Sequence, residues 1–321
     1  MKVPQEITRL LDGGGSFLLT SHESPDSDAL GSMLALASLL ESLGKKVSLY
    51  CSDNVPAFLR FLPGSEKISS DLGGDFDALV VLDCPVPSRA GSRFGEYAAS
   101  CGTEIAIIDH HKEQPSPGAV KWVETSAPAT GIMVYEIFKA FDAQIPPAAA
   151  TCIYAAISGD TGSFRFSNAT PECFRVAAEM VSLGADPEKI SSAIYENQSL
   201  ERMELLARVL ATLKTDKTGK VGWVRIDKEM FESTRTTRED SEGMVDLPMS
   251  VKGVCVALLF RQERDGDNLF WKASIRSRGD IDVSEVASMF GGGGHKNAAG
   301  FTFKCGTDEA LEKILKAVDG G

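Results

Sequence analysis

Three short apolar runs in the first 110 residues each end at a side chain that can hold a proton or a metal. Residues 17–21 run into His22, residues 78–82 into Asp83, and residues 105–108 into Asp109. Runs of this length, bounded by polar residues and alternating with helical patterns, predict strands of a parallel sheet with helices on both faces. In such a sheet the carboxyl ends of the strands open onto a common crevice, so residues distant in sequence can converge there. One pattern therefore constrains both the fold and the place where its chemistry sits.

The rest of the chain fits an α/β fold of two domains. An amphipathic helix is expected over 28–43, ended by Gly44, then a strand over 47–51. Helical patterns follow near 130–141 and 148–158, and a second α/β pattern over 174–195. A long helix over 200–213 reads as a connector. Beyond a turn at 216–220, strands are expected at 221–226, 253–261, 269–276 and 300–304, with helices at 283–290 and 308–318. The division expected is a parallel-sheet domain over 1–198, a linker helix within 199–215 and a smaller mixed α/β domain over 216–321. A length of 321 residues suits that division.

Bulk properties exclude several classes. No apolar run approaches the ~20 residues of a membrane helix, and no apolar leader follows Lys2. The seven cysteines are scattered and odd in number, which argues against a disulfide framework or a cysteine zinc site and for a reducing cytoplasm. A net charge of −12 suits a long polyanion poorly, because duplex affinity rests on many cationic contacts to phosphate. A nucleic-acid substrate should then be small, with metal ions supplying much of the positive charge near its phosphate.

All four histidines lie in acidic or glycine-rich motifs. His22, Asp26 and Asp28 share one strand-to-helix loop, where a lone Asp26 or Ser27 would be read as a helix cap. Asp83 alone reads equally as a functional residue or as an ion-pair or turn residue. Asp109-His110-His111 is sharper, since adjacent histidines after an aspartate rarely serve packing. Asp160 stands in Ser158-Gly159-Asp160-Thr161-Gly162, which also reads as a helix-ending turn. Together these residues offer enough carboxylates and imidazoles for two ions with open positions. The donor set favours Mn2+ or a neighbour over Ca2+, with Mg2+ or Co2+ as substitutes. Two ions ~3.5–4 Å apart suit phosphoester hydrolysis.

Further along, Gly291-Gly292-Gly293-Gly294-His295 is either a hinge or a phosphate cradle, in which Cβ-free backbone approaches an anion closely. Arg276 on the preceding strand, with His295 and Lys296, would add charge-assisted contacts. Phe164-Arg165-Phe166 suits base stacking or core packing equally. Residues 235–240, with Arg235, Arg238, Glu239 and Asp240, read as a solvated loop.

The His22-x-x-x-Asp26-x-Asp28 loop, Asp83, Asp109-His110-His111 and Asp160 resemble, in order, the four motifs of the DHH phosphoesterase family. Residues 274–277 and 291–300 resemble its DHH-associated domain. The resemblance implies that His22, Asp26 and Asp83 hold one ion, and that Asp28, Asp83, His110 and Asp160 hold the second. Asp109 would orient a histidine, and His111 would face the scissile phosphate. Arg276, Ser277, Gly292, Gly293, Gly294, His295 and Asn297 would grip the substrate. The layout is nearest to family members that cut short single-stranded RNA and linear dinucleotides such as pGpG and pApA and dephosphorylate pAp. A cyclic-dinucleotide (c-di-AMP) phosphodiesterase is the alternative. A homodimer, located in the cytoplasm and not in a membrane, is the assembly implied.

Overall fold

Residues 78–82, Ala-Leu-Val-Val-Leu, are buried along their whole length, as a central strand covered on both faces must be. Around this strand the first of two units is built. A computed structural model of the chain describes residues 1–196, 198–265, 268–304 and 306–319, without the side chains of residues 265, 268, 295 and 319. The chain divides into Met1–Asn197 and Gln198–Gly321.

In the first unit the order is α1 (Gln5–Gly13), β1 (Ser16–Thr20), α2 (Ser27–Ser42), β2 (Lys46–Tyr50), β3 (Ile68–Ser69), β4 (Ala78–Leu82), α3 (Ser92–Ser100), β5 (Glu104–Asp109), β6 (Val120–Val123), α4 (Thr130–Ala140), α5 (Pro147–Asp160), α6 (Pro171–Ser182) and α7 (Pro187–Ser191). The strands form one sheet in the order β3-β2-β1-β4-β5-β6, and every pairing is parallel. On one face Phe17, Leu19, Val80 and Ile108 pack with residues of α1, α2, α4 and α5. The other face places Leu18, Leu79, Val81 and Ile107 against Phe94 and Ala98 of α3.

The structure departs from the sequence pattern in two places. Helix α2 is not amphipathic: all its residues from Ser27 to Ala37 are buried. It packs between the sheet and helices α4 and α5, so it has no wide solvent face for polar residues to occupy. A Cβ at Gly31 would lie 2.5 Å from the carbonyl oxygen of Cys152, so the close approach of α2 to α5 requires glycine. Residues 171–196 contain no strand among those described. Helices α6 and α7 occupy the stretch, where apolar side chains spaced for helix packing gave the appearance of an α/β unit.

The second unit contains α8 (Leu200–Leu210), β7 (Lys214–Thr215), β8 (Val221–Ile226), α9 (Lys228–Thr234), β9 (Val256–Asp265), β10 (Asn268–Ser277), α10 (Val283–Ser288), β11 (Gly293–His295), β12 (Ala298–Phe303) and α11 (Thr307–Asp319). Its mixed sheet runs β11-β12-β10-β9-β8-β7, with β8 and β9 the parallel pair. Ala273, Ile275, Phe301 and Phe303 face the apolar sides of α10 and α11. Leu205 and Val209 of α8 pack with Val224, Ile226 and Leu259 on the opposite face. The buried side of α8 therefore belongs to this unit's own core. No helix among the described residues is long and apolar enough to cross a membrane.

Candidate metal centre

Strand β1 leads into the loop that carries His22 and Asp26, and Asp26 caps α2 by accepting from the backbone N–H groups of Asp28 and Ala29, each at 3.0 Å. Capping thus occupies one carboxylate oxygen of Asp26. Asp28, in the first turn of α2, is fully buried. Its Oδ1 accepts from Ser32 Oγ at 2.9 Å and Gly131 N–H at 2.9 Å, and its Oδ2 from Thr130 N–H at 2.7 Å. The N-terminus of α4 therefore seats this carboxylate, where exposed N–H groups and the helix dipole favour negative charge.

Asp83, just past β4, has φ of 52°, a left-handed backbone that Asp tolerates better than most residues. The turn aims its carboxylate back over the strand ends. Its Oδ2 lies 3.5 Å from His22 Nε2, and its Oδ1 lies 3.4 Å from His110 Nε2. Thr130 Oγ1 donates to that same Oδ1 at 3.1 Å. Asp160, the last residue of α5, brings Oδ2 within 3.3 Å of His110 Nε2.

The two imidazoles of His22 and His110 are oriented alike. His22 Nδ1 donates to Glu23 O at 2.8 Å, and His110 Nδ1 to Ala127 O at 3.0 Å. With Nδ1 on a backbone carbonyl, Nε2 is directed at the carboxylates, which is how metal-ligating histidines are held. His111 Nδ1 lies 2.8 Å from Asp109 Oδ1. Asp109 is fully buried, and its Oδ2 has no hydrogen-bond partner among the described residues.

The structure brings together all six residues expected to bind metal. The ligand atoms of His22, Asp26 and Asp83 lie within 4.8 Å of one another, as do those of Asp28, His110 and Asp160, and those of Asp83, His110 and His111. The electrostatics of this crowd call for cations. Burial, then the charges of Asp83 and Asp160, push the Asp28 carboxyl well above its usual range. Desolvation by the neighbouring groups raises Asp26, which stays exposed at the rim, with the charge of Asp83 adding to it, and burial raises Asp160 to about 7. Burial alone would lower the His22 imidazole, but its ion pair with Asp83 and the charge of Asp26 raise it to about 9. Burial opposes Asp83 too, yet His110 and His22 hold it far below the normal carboxylate range. Buried like charges are costly unless neutralised. This cluster of oxygens and imidazole nitrogens fits divalent transition metals.

In the second unit, Arg276 is partly exposed on β10, its Nη1 3.3 Å from the Ile275 carbonyl. Ser277 is buried; its hydroxyl donates to Ile281 O at 2.7 Å and accepts from Asn297 Nδ2 at 2.9 Å. Gly293–His295 forms a strand paired with β12. Side chains at Gly292 and Gly294 would collide with β12 backbone, whereas Gly293 faces open space. The side chain of His295 lies outside the described residues.

Thr130, Ser32 and the Ala127 carbonyl were not foreseen from sequence. Only the start of a helical pattern near 130 hinted at the donor groups that α4 supplies.

A model described as the DHH family, N-terminal domain, matches residues 16–157, and a DHHA1 domain model matches residues 228–320. The chain is similar to the bifunctional oligoribonuclease and PAP phosphatase NrnA of Thermus thermophilus, at 32% identity over 99% of this chain and 93% of that protein. It is also similar to the NrnA of the same description from Bacillus subtilis, at 25% identity over 92% of this chain and 91% of that one. In fold it matches the crystal structure of an exopolyphosphatase-related protein from Bacteroides fragilis, with a TM-score of 0.89 and 27% identity, covering 98% of this chain and 95% of that chain. The chain therefore belongs to the DHH family of phosphoesterases, hydrolases of phosphoester bonds, and carries a DHH domain followed by a DHHA1 domain.

Proposed function

We propose that this enzyme hydrolyses short oligoribonucleotides and linear dinucleotides such as pGpG and pApA to nucleoside 5′-monophosphates, and removes the 3′-phosphate from pAp. The observation that carries this reading is the meeting of Asp26, Asp160, His22 and His110 around the buried Asp28 and Asp83, in a chain 32% identical to a protein named as an oligoribonuclease and PAP phosphatase. His22, Asp26 and Asp83 would hold one Mn2+, and Asp28, Asp83, His110 and Asp160 a second. When bound, such a pair supplies Lewis acidity that acidifies water and neutralises charge on phosphoryl oxygens.

The chain's own residues do the rest. Asp83 presents one oxygen towards His22 and the other towards His110, so it joins the two groups. Thr130 and the N-terminus of α4 fix Asp83 and Asp28, which prevents the carboxylates from splaying under mutual repulsion. Asp109 orients His111 and, by their hydrogen bond, raises the imidazole's affinity for a proton. His111 then donates to a phosphoryl oxygen or to the departing oxygen. The chemistry is assigned to the first unit and the grip on the nucleotide to the second. There Arg276, His295 and the backbone of Gly292, Gly293 and Gly294 take a phosphate. Ser277 and Asn297, expected from sequence to grip the substrate directly, have their side chains bonded to each other and to the backbone of Ile281 and Gly279, so they support the grip by holding the turn after Arg276.

Product analysis on 5′-labelled RNAs from dimer to 24-mer with Mn2+ tests the reading, with c-di-AMP, pApA and pAp in parallel. Fastest turnover is expected on two to five nucleotides. Faster cleavage of c-di-AMP than of pApA would replace this substrate assignment with the cyclic one.

A further inference from the structure

The sheet face of the second unit that α8 covers at Leu259 runs on, uncovered, along β10. On β10, side chains alternate between faces. Ala273 and Ile275 enter the core, so Lys272, Ser274 and Arg276 share the opposite face, and all three are partly exposed. Their partners across β12 are Thr302, Gly300 and Ala298, which are exposed or partly exposed. The floor between Lys272 and Arg276 is therefore made of small residues, with a cation at each end. Four residues of strand separate their Cα atoms by ~13 Å, too far for one phosphate to touch both.

Lys272 is not isolated. Across β9 its partner is Arg261, and Arg261 in turn lines a cavity of about 340 Å³ together with Arg238, Glu263, Arg264, Thr237 and Phe231, among others. Arg261 is committed to Glu263, at 2.9 and 2.7 Å, and to Ser241 Oγ at 3.0 Å. Arg238 reaches the same Glu263 only at 4.0 Å, and its side chain is largely exposed. Glu263 thus faces Arg261, Arg238 and Lys272, with the carboxylates of Glu239 and Asp240 held by Thr237 at the cavity's edge, and no hydrogen bond or ion pair to Lys272 is found among the described residues. Burial lowers the affinity of its ammonium for a proton, and Arg238 and then Arg261 add to that. An anion docked here would relieve the repulsion. In a chain of net charge −12, a cavity lined by Arg238, Arg261 and Arg264 is a local excess of positive charge of the kind that attracts an anion.

We propose that Lys272 and Arg238, backed by Arg261, form a second phosphate subsite on the same sheet face as Arg276, and that it takes a further backbone phosphate of substrates longer than a dinucleotide. The inference rests on the proposed oligoribonuclease activity. Phe231 offers an aromatic wall on which a base can stack. Long duplexes remain poor ligands, because the subsite supplies only one phosphate contact.

The test is steady-state kinetics of the intact enzyme with Mn2+ on pApA, a trinucleotide and a tetranucleotide, for wild type, K272A, K272R and R238A, with thermal melts to confirm folding. K272A should raise KM for the longest substrate about 10-fold, the effect of losing one charge-assisted contact, and leave pApA within about 2-fold. K272R should restore most of the loss. The salt dependence of log KM for the tetranucleotide should flatten by about 0.7, one phosphate on a single strand. Equal effects at every length, or none at any length, overturn the subsite while leaving the enzyme's activity intact. If the wild type cuts no oligonucleotide, the underlying reading fails and the subsite fails with it.

Discussion

Thr130 and Asp28 are 102 residues apart in sequence, yet the backbone N–H of Thr130 donates to Asp28 Oδ2 at 2.7 Å. The same residue's hydroxyl donates to Asp83 Oδ1 at 3.1 Å. One residue at the head of α4 therefore ties Asp28 to Asp83, the carboxylate that joins the two groups of the centre. Replacing Thr130 with Val keeps the shape and the backbone contact but deletes the hydroxyl. Metal affinity should fall about 10- to 100-fold, the usual effect of losing such a supporting contact, while T130S stays near wild type. Titration with Mn2+ followed by calorimetry checks this; equal affinities for T130V and wild type would remove Thr130 from the centre.

Asp83 should be the least replaceable residue. Its φ of 52° is tolerated by Asn but disfavoured for Ala, so D83N separates loss of charge from backbone strain. Both variants should lose at least three orders of magnitude in turnover, roughly 4 kcal/mol in barrier. D83A should in addition melt lower than D83N. Near-wild-type hydrolysis by D83N would contradict the joining role.

Stability without metal should depend on pH in a defined direction. Asp160 keeps its proton up to about 7 in the folded chain, against an ordinary value of 3.8, so the folded state binds more protons than the unfolded state between those values. Stability from this group is present at low pH and lost as pH rises through about 7. His22, raised from 6.5 to about 9, acts in the same direction at higher pH. Asp83 acts oppositely, but its depressed value confines its effect to pH below about 4. The metal-free enzyme should therefore melt lower at pH 8 than at pH 6. The gain in Tm on adding Mn2+ should grow over the same range, because binding displaces those protons. Differential scanning fluorimetry at both pH values reads both effects; a flat metal-free profile would contradict the assignment.

Asp109 holds His111 through a 2.8 Å hydrogen bond that raises the imidazole's proton affinity. Removing that charge in D109N should lower it. If protonated His111 is the donor, the alkaline limb of the pH–kcat profile moves to lower pH in D109N. H111A should lose about 10²–10³ in kcat. An unmoved limb would exclude His111 as the titrating donor.

Arg276→Ala should act on binding, raising KM for pApA more than it lowers kcat. Lost turnover with an unchanged KM would contradict the grip assigned to β10.

The centre was legible because its chemistry demands unusual residues. A loop with an imidazole and two carboxylates, or adjacent histidines after a strand, has few uses in packing. The supporting groups were not legible for the opposite reason. Thr130 at a helix start and Ala127 in a turn are ordinary choices, and they matter through backbone atoms or through partners 47 residues and more away. The same contrast runs through the fold. Strands β1, β4 and β5 announced themselves as short apolar runs. Helices α1 and α3 were not anticipated, nor was β6, whose Trp122 is buried in the core. Helix α2 misled because its neighbours, not its own sequence, decide how much of its surface meets water. Residues 291–294 read as hinge or cradle, and the need for Gly292 and Gly294 became visible only once β12 was seen against them.

The most direct test of the centre is a crystal structure of the enzyme soaked with Mn2+, with anomalous scattering recorded at the manganese edge. Two peaks are expected, one among His22, Asp26 and Asp83 and one among Asp28, His110 and Asp160, with Asp83 touching both. A single peak, or ions bound away from these six side chains, would contradict the account.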